Sequence, residues 1–439
     1  MAVPRRTLVP PAVTEFLGSA RFTSTLALLA VVTGFSTHAI RAVIGWPGLI
    51  GALCTIAVLA ALSFIAQRKL IEWHGLLPIS ALLFVGWCAL SLIWSDYQWA
   101  TLAGVVYQLL FAFLAVYIAL VRDAIQIVRV VGDALRALLT VSLALEILSG
   151  LLLDVPIRFL GIAGNIAAGG PIQGLFGSRN ALSIVALIAF VTFLVELRTR
   201  SVRPQLAAYS ITLAVLCILL AHSPVIAAVS VVVGFATLAL YLLRKVPAHR
   251  RTLVQWGLAV LTIAALVTAY ISRTRVIDLL NARADFQVRY KLWIQIWELI
   301  PINQITGWGW VGAWPTDLYP FNAIQDATST YHPNGLNAYL DVYLQVGFIG
   351  LLLFVALIAL AFSRSWLLAS NRRSVVYAWA PLVMVSLLVT SVFESSILIE
   401  SGWMLLVICS VKASQGMSWR LRLPHRDDGL DRGGSQVGG

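Results

Sequence analysis

What most constrains this chain is a succession of long apolar runs between Phe22 and Lys412, each nearly free of charge. A helix crossing the hydrocarbon core needs about 20 consecutive apolar residues, because no water is present there to satisfy exposed backbone groups. The runs at 22–40, 43–66, 76–95, 99–121, 133–153, 179–197, 205–221, 224–243, 253–272, 336–362, 376–393 and 396–412 read as such helices. The sequence therefore predicts an all-α integral membrane protein with about twelve transmembrane helices. Composition agrees: 60% of the 439 residues are hydrophobic and 11% are charged, where soluble globular chains carry roughly a quarter charged.

The distribution of basic residues orients these helices. If residues 1–21 are cytoplasmic, alternate segments hold Arg5, Arg6 and Arg21, then Arg68 and Lys69, then Arg122, Arg129 and Arg136. The same side takes Arg198, Arg200 and Arg203; Arg244, Lys245, Arg250 and Arg251; Arg364, Arg372 and Arg373; and the basic tail. The other side keeps only Arg41, Arg158, Arg179, Arg273, Arg275, Arg283, Arg289 and Lys291. By the positive-inside rule both termini are cytoplasmic. The first run is long for a signal-peptide core and reads as a retained span. The layout is then a cytoplasmic N-terminus (1–21), spans one to nine (22–272), a large external loop (273–335), spans ten to twelve (336–412) and a polar, Gly-rich tail (413–439) expected to be disordered. A second long external connection covers 154–178. Long ordered loops are usually functional, so chemistry is expected outside.

The formal charge of +12 does not argue for nucleic acid, because the basic residues form short clusters between apolar runs, not one surface. Cys54, Cys88, Cys217 and Cys409 each stand alone in an apolar run and read as buried packing residues. External carboxylates are dispersed with no paired D-x-D, and no phosphate-binding G-x-x-x-x-G-K-[ST] or serine elbow G-x-S-x-G occurs. No metal, ATP or other cofactor is therefore expected.

Three external stretches carry candidate chemistry. In "GLFGSRNALSIVALIAF", Arg179 and Asn180 stand at the first turn of span six behind a glycine-rich loop. A helix N-terminus presents free N–H groups and a positive dipole end, a setting suited to phosphate. In "ARADFQVRYKLWIQIWELIP", apolar residues recur at helical spacing from Arg289 onward, giving an amphipathic interfacial helix. Arg289 shares a stripe with Trp293 and Trp297, so its guanidinium needs an anionic partner, either a lipid diphosphate or Asp285 or Glu298. Arg283 is the second candidate of that loop. In "TSTYHPNGLNAYLDVYLQVGFIG", Asn334 reads as a helix N-cap, with His332 two residues earlier. Asn337, Asp341 and Gln345 fall on one helical face, expected to line a polar cleft. His332 has a pKa suited to proton transfer near neutrality. His38 and His222 are competitors with fewer polar neighbours; His74, His249 and His425 lie on the cytoplasmic side.

The ordered set "FGSRNAL", "RADFQVRYKLW" with "GWGW", and "HPNGLNAYLDVYLQVGFIGLLL" resembles the O-antigen ligase and polymerase superfamily, over about 174–352 within a twelve-span layout. Within it the pattern is most similar to the O-antigen ligase. The resemblance implies transfer of a finished polysaccharide from undecaprenyl diphosphate to a sugar of lipid A–core, on the periplasmic face of the bacterial inner membrane, by metal-independent inverting chemistry. Donor, acceptor and membrane lipid are the implied partners. It places the motif histidine on His332, the arginine of the glycine-rich loop on Arg179, and the arginine before the loop tryptophan on Arg289. Arg283 is displaced by one position from the family pattern and Val288 replaces a glycine, so either Arg283 or Arg289 is the phosphate contact beside Arg179, and His332 is either base or diphosphate clamp. The polymerase, the pilin-type protein oligosaccharyltransferase and a non-catalytic carrier of lipid-linked sugar are the competing readings.

Overall fold

The computed structural model describes residues 11–68 and 78–416. Arg5, Arg6, Lys69, His74 and the tail from residue 417 lie outside the described residues. The chain is helical: α1 (Pro11–Gly18), α2 (Ala20–Phe35), α3 (Thr37–Ala66), α4 (Ile79–Leu90), α5 (Gln98–Val121), α6 (Ala124–Ile147), α7 (Arg179–Thr199) and α8 (Pro204–Leu220) come first. They are followed by α9 (Pro224–Lys245), α10 (Ala248–Ile271), α11 (Arg273–Leu279), α12 (Arg283–Leu299), α13 (Phe321–Thr328), α14 (Ala338–Asn371), α15 (Trp379–Thr390) and α16 (Glu400–Gly416). No strand occurs among the described residues; Ile157 and Ile162 form an isolated bridge.

Each expected span coincides with a helix. Seven are long and apolar enough to cross a membrane: α3, α5, α6 with its continuation to Leu152, α7, α9, α10 and α14. The apolar helices at Ala20–Phe35, Ile79–Ile93, Pro204–Leu220 and Val375–Thr390 are shorter. Their ends are set by local chemistry. Pro204 and Pro224 open α8 and α9, where the missing N–H costs nothing. Asp123 and Gln126 form a reciprocal capping box at the start of α6. The interior is built around α16 and α7, whose sides are buried almost all round. By contrast α10 buries none of its spanning window, as expected of a helix facing lipid on every side. Cys88, Cys217 and Cys409 are buried, but Cys54 is exposed: it lies on an outward face of α3 and is not the packing residue its sequence setting predicts.

The central feature is a break in α14. Gly347 has φ 69° and ψ −171°, so the helix stops and restarts there. In a continuous helix Leu344 and Gln345 would accept from the N–H groups of residues 348 and 349. Here a segment from the loop before α13 supplies the partners instead. Trp308 N donates to Leu344 O (3.1 Å) and Gly309 N to Gln345 O (2.7 Å), while Phe348 N donates to Gln304 O (2.9 Å) and Ile349 N to Ile305 O (3.4 Å). The backbones approach so closely that a Cβ on Gly347 would collide with the Ile305 carbonyl, and one on Gly307 with residues 345 and 347. Gln345, fully buried, accepts from Val311 N (2.8 Å) and Gly312 N (3.0 Å). Irregular backbone survives at such depth only when protein satisfies it.

The "GWGW" segment is therefore not a surface loop, as its place in the 273–335 connection implies, but an insertion into the bundle. Trp310 has no exposed surface and packs edge-on against Phe84. Its N–H reaches Ser91 Oγ (3.0 Å), and the indoles of Trp87 and Trp94 donate to Val346 O and Thr306 O. A second apolar core formed by Leu292, Ile296, Trp314, Phe321 and Leu344 joins α12 and α13 to this insertion.

Away from this region, Arg136 on α6 ties three helices together. It reaches Glu196 of α7 (2.6 Å), Ser210 of α8 (2.7 Å) and Asp133. Glu196 is completely buried. Removing one member of such a pair leaves a buried charge uncompensated and costs about 3–5 kcal/mol, whereas replacing both by apolar residues is close to neutral.

Two outcomes follow for thermal unfolding in detergent. Gly347→Ala should lower stability by at least about 1–2 kcal/mol from left-handed strain alone and expose residues 304–312 to protease. Gly86→Ala on α4, whose added Cβ would meet nothing within 4 Å, should stay within about 0.5 kcal/mol. Glu196→Ala should cost several-fold more than the double change Arg136→Met with Glu196→Leu. Equal losses would remove the buried pair as the reason.

Candidate functional site

The glycine-rich loop is held from below. Glu146 of α6, 2% exposed, accepts from the N–H groups of Gln173 and Gly174 (both 2.8 Å), and Ser142 Oγ accepts from Leu175 N (3.2 Å). Gly177 sits at φ 74° directly against the His38 imidazole, where any side chain would collide with the ring. His38 thus supports the loop. Ser178 then caps α7 by accepting from Ala181 N (3.1 Å), which sets Arg179 and Asn180 in the first helical turn.

From that turn a polar network reaches two other parts of the chain. One Arg179 amino group donates to both carboxylate oxygens of Asp285 on α12 (2.6 and 2.8 Å). Asn180 donates to Glu394 Oε1 (2.7 Å) and accepts from Ser223 Oγ (2.7 Å). Arg289 donates to the same Glu394 oxygen (2.8 Å), to Phe393 O (3.1 Å) and to Asp285 O (3.1 Å). Burial pushes the Glu394 carboxyl up from its usual range, against the opposing pull of Arg289 and Asn180. The Arg289 side chain is 6% exposed and that of Arg179 is 36%. Arg289 is enclosed, and Arg179 is partly exposed.

The structure thus brings Arg179, Asn180 and Arg289 together and leaves Arg283 outside. Arg283 pairs with Asp278 at the surface, its side chain 75% exposed. That exposed pairing raises the arginine's pKa and lowers the aspartate's. On α12 the inward face is Arg289, Leu292 and Ile296, while Trp297 is exposed. Eight residues at 3.6 per turn carry Trp297 about 80° around from Arg289, so the expected shared stripe extends only to Trp293. The buried partner of Arg289 is Glu394, not Asp285's carboxylate or Glu298. The sequence reading gives Glu394 no role; the available signal is a lone carboxylate in "SVFESS", between two apolar runs.

His332 lies on the loop before α14, 5% exposed. Its imidazole makes no hydrogen bond among the described residues, and neither ring nitrogen is sealed from solvent. Burial lowers its pKa below the ordinary 6.5, so the ring is neutral, and able to accept a proton, at neutral pH. The loop is pinned on both sides: Trp314 N donates to Pro333 O (2.9 Å), and the Trp293 indole donates to Gly335 O (3.1 Å). Trp293 lies one turn beyond Arg289, so the same helix carries the arginine and anchors the histidine loop.

Two sequence expectations change here. The N-cap is Asn337, whose side chain accepts from Tyr339 N (3.0 Å) and Leu340 N (3.1 Å); Asn334 instead closes a local turn with Leu336 N (3.0 Å). The stripe below does not line an open polar cleft. Asp341 is fully buried and accepts from the Trp314 indole (2.8 Å), Gln345 (2.8 Å) and Gly335 N (3.1 Å). With Gln345 it fastens the inserted segment and the histidine loop to α14, which is why these polar groups tolerate such depth.

A separate cluster on the same face joins Arg41 to Glu400, with Thr37 (2.5 Å) and Tyr107 (3.0 Å) on the same carboxylate. Among the described residues no group of three His, Cys, Asp or Glu is gathered as a metal site.

Residues 208–355 match the family model Wzy_C, described as O-Antigen ligase. The matched region runs from α8 into the N-terminal half of α14 and includes Arg289, the "GWGW" insertion and His332; Arg179 and Glu394 lie outside it. No curated protein matches the chain. The match covers the stretch that holds two of the three motifs and supports placing residues 208–355 in the O-antigen ligase/polymerase superfamily.

Proposed function

We propose that this protein is an O-antigen ligase, a glycosyltransferase that moves polysaccharide from undecaprenyl diphosphate to a sugar of lipid A–core at the periplasmic face of the inner membrane. The observation that carries this reading is the convergence of Arg179 and Asn180 at the N-terminus of α7 with Arg289 of α12, a helix that also anchors the His332 loop. In the accompanying topology all twelve apolar runs span, both termini are cytoplasmic, and the 154–178 and 273–335 connections are periplasmic.

The proposed chemistry needs two things, a proton acceptor and a cationic clamp. A sugar hydroxyl attacks the anomeric carbon poorly unless a base takes its proton, and a neutral, largely desolvated imidazole with a free nitrogen suits that task. The glycosidic bond to phosphate breaks as the new bond forms on the opposite face, and the lipid diphosphate leaves with growing negative charge. Arg179, partly exposed on a helix N-terminus, would meet that charge through bidentate bonds. In the ligand-free state Asp285 holds its guanidinium. Diphosphate binding then displaces a carboxylate, with Arg289 and Glu394 keeping the α12 side rigid. As diphosphate clamp instead, His332 would act protonated, and the two roles differ in pH dependence.

Transfer assayed with purified protein, lipid-linked donor and lipid A–core should fall on the acid side with an apparent pKa below 6.5, because protonation removes the base. The activity present above that pKa is lost as pH drops through it. A limb on which activity rises with acidity would favour the clamp. His332→Ala should cost about 10²–10⁴ in kcat with unchanged thermal stability, and Arg179→Ala should raise donor KM while the protein still folds. In a deletion strain, polymer should accumulate on undecaprenyl diphosphate beside bare core. Core capped by a single repeat would replace this reading with a polymerase, and unglycosylated pilin-like protein with an oligosaccharyltransferase. Transfer at wild-type rate in both substituted proteins would remove these residues as the site, and absence of transfer by the unaltered purified protein would leave only a carrier role.

A further inference from the structure

A groove of about 600 Å³ opens between α7, α8, α9 and the start of α15, and none of Arg179, Arg289, Glu394 or His332 lines it. Along α7 it is lined from Leu187 to Arg198, about 16 Å at 1.5 Å per residue. Its walls are aliphatic and aromatic, among them Phe190, Ile218 and Val233. Gly234 forms part of the wall, and a side chain added there would meet nothing within 4 Å, so the empty space continues past the backbone of α9.

One end of the groove is different. Arg198 and Arg244 both line it, and no carboxylate does. Arg244 is fixed by donating to Ala369 O (2.9 Å) and Ser374 O (3.3 Å). Arg198 is exposed and makes no hydrogen bond or ion pair among the described residues. Arg200 and Arg203 follow in the α7–α8 turn, and Lys245 lies 4.4 Å from the Tyr241 ring beside Arg244. An apolar channel within the span of membrane helices, closed at one end by a basic cluster, has the shape and charge of a lipid: chain in the channel, anionic head on the arginines. Basic pockets between transmembrane helices on the cytoplasmic side bind such head groups.

We infer that this groove binds one anionic phospholipid of the cytoplasmic leaflet, with an acyl chain between α7, α8 and α9 and its phosphate on Arg198 and Arg244. Only the choice of leaflet rests on the orientation proposed above. Charge complementarity selects this occupant over a neutral lipid. It also selects it over the tail of the proposed donor, whose diphosphate belongs at Arg179, at the opposite end of α7.

The full chain, purified in detergent, would be exchanged against phosphatidylglycerol or phosphatidylcholine of identical chains, and retained lipid counted by native mass spectrometry. Phosphatidylglycerol should be retained roughly fivefold or more over phosphatidylcholine, the scale of a single arginine at a lipid head group. Gly234→Phe should abolish retention of both, and Arg198→Gln should bring phosphatidylglycerol to the phosphatidylcholine level. Equal retention of the two by the unaltered protein, or unchanged retention in Gly234→Phe, would overturn the site. Displacement of phosphatidylglycerol by undecaprenyl phosphate would also overturn it, and would assign the groove to the donor's tail. Because binding is read without transfer, failure of the transferase reading leaves this result standing, and the reverse also holds.

Discussion

The structure depends on a repaired break. Gly347 interrupts α14 and would strand two carbonyls and two N–H groups inside the bundle. Residues 304–309 take up all four, one for one. Everything on the candidate catalytic face is referred to that repair. Trp310 packs the segment on Phe84 of α4, and the indoles of Trp87 and Trp94 tie down the backbone of the break and of the segment. Gln345 and Asp341 fasten the segment's far end to α14, and Trp314 passes the constraint to the His332 loop. Polar residues that look like a solvent-filled cleft in the sequence are consumed by this fastening. Their burial is tolerable because each has its partners.

Around that frame the charged residues are balanced. Arg179 and Arg289 face Asp285 and Glu394, so the ligand-free cluster carries no net formal charge. The two pairs differ in exposure, and that difference divides the labour. The buried pair holds α12 against the α15–α16 turn, while the other pair is about a third exposed and is the one proposed to open to diphosphate. A glycine-rich loop supported by Glu146 and His38 keeps the helix terminus that carries Arg179 in register with this network.

Much of this was legible in the sequence, for identifiable reasons. Hydrophobic spans announce themselves because the bilayer imposes a fixed length, and each expected run is a helix. Arg179 and Arg289 stood out because arginine is disfavoured on the external side, and His332 because its neighbours were polar in an apolar chain. The break at Gly347 was not legible: "QVGFIG" reads like any membrane helix with a glycine, and its meaning lies in residues some forty positions earlier. Glu394 was missed for a similar reason, since its importance comes from Arg289 and Asn180, far away in sequence. Asn334 reads as the cap because asparagine is a strong cap residue and the apolar run follows closely, but Asn337 three residues on is equally suited, and only the backbone shows which one precedes the first turn.

The order of the elements along the chain has a consequence for assembly. Chains emerge and fold from the N-terminus, and every group that completes α14 at Gly347 precedes it: α4 with Trp87, then residues 304–309. When α14 enters the membrane, its missing hydrogen-bond partners have already been synthesised. A broken helix that must never sit alone in lipid is thus made last among the parts that repair it, and of the polar cluster only the turn that carries Glu394 is still to come.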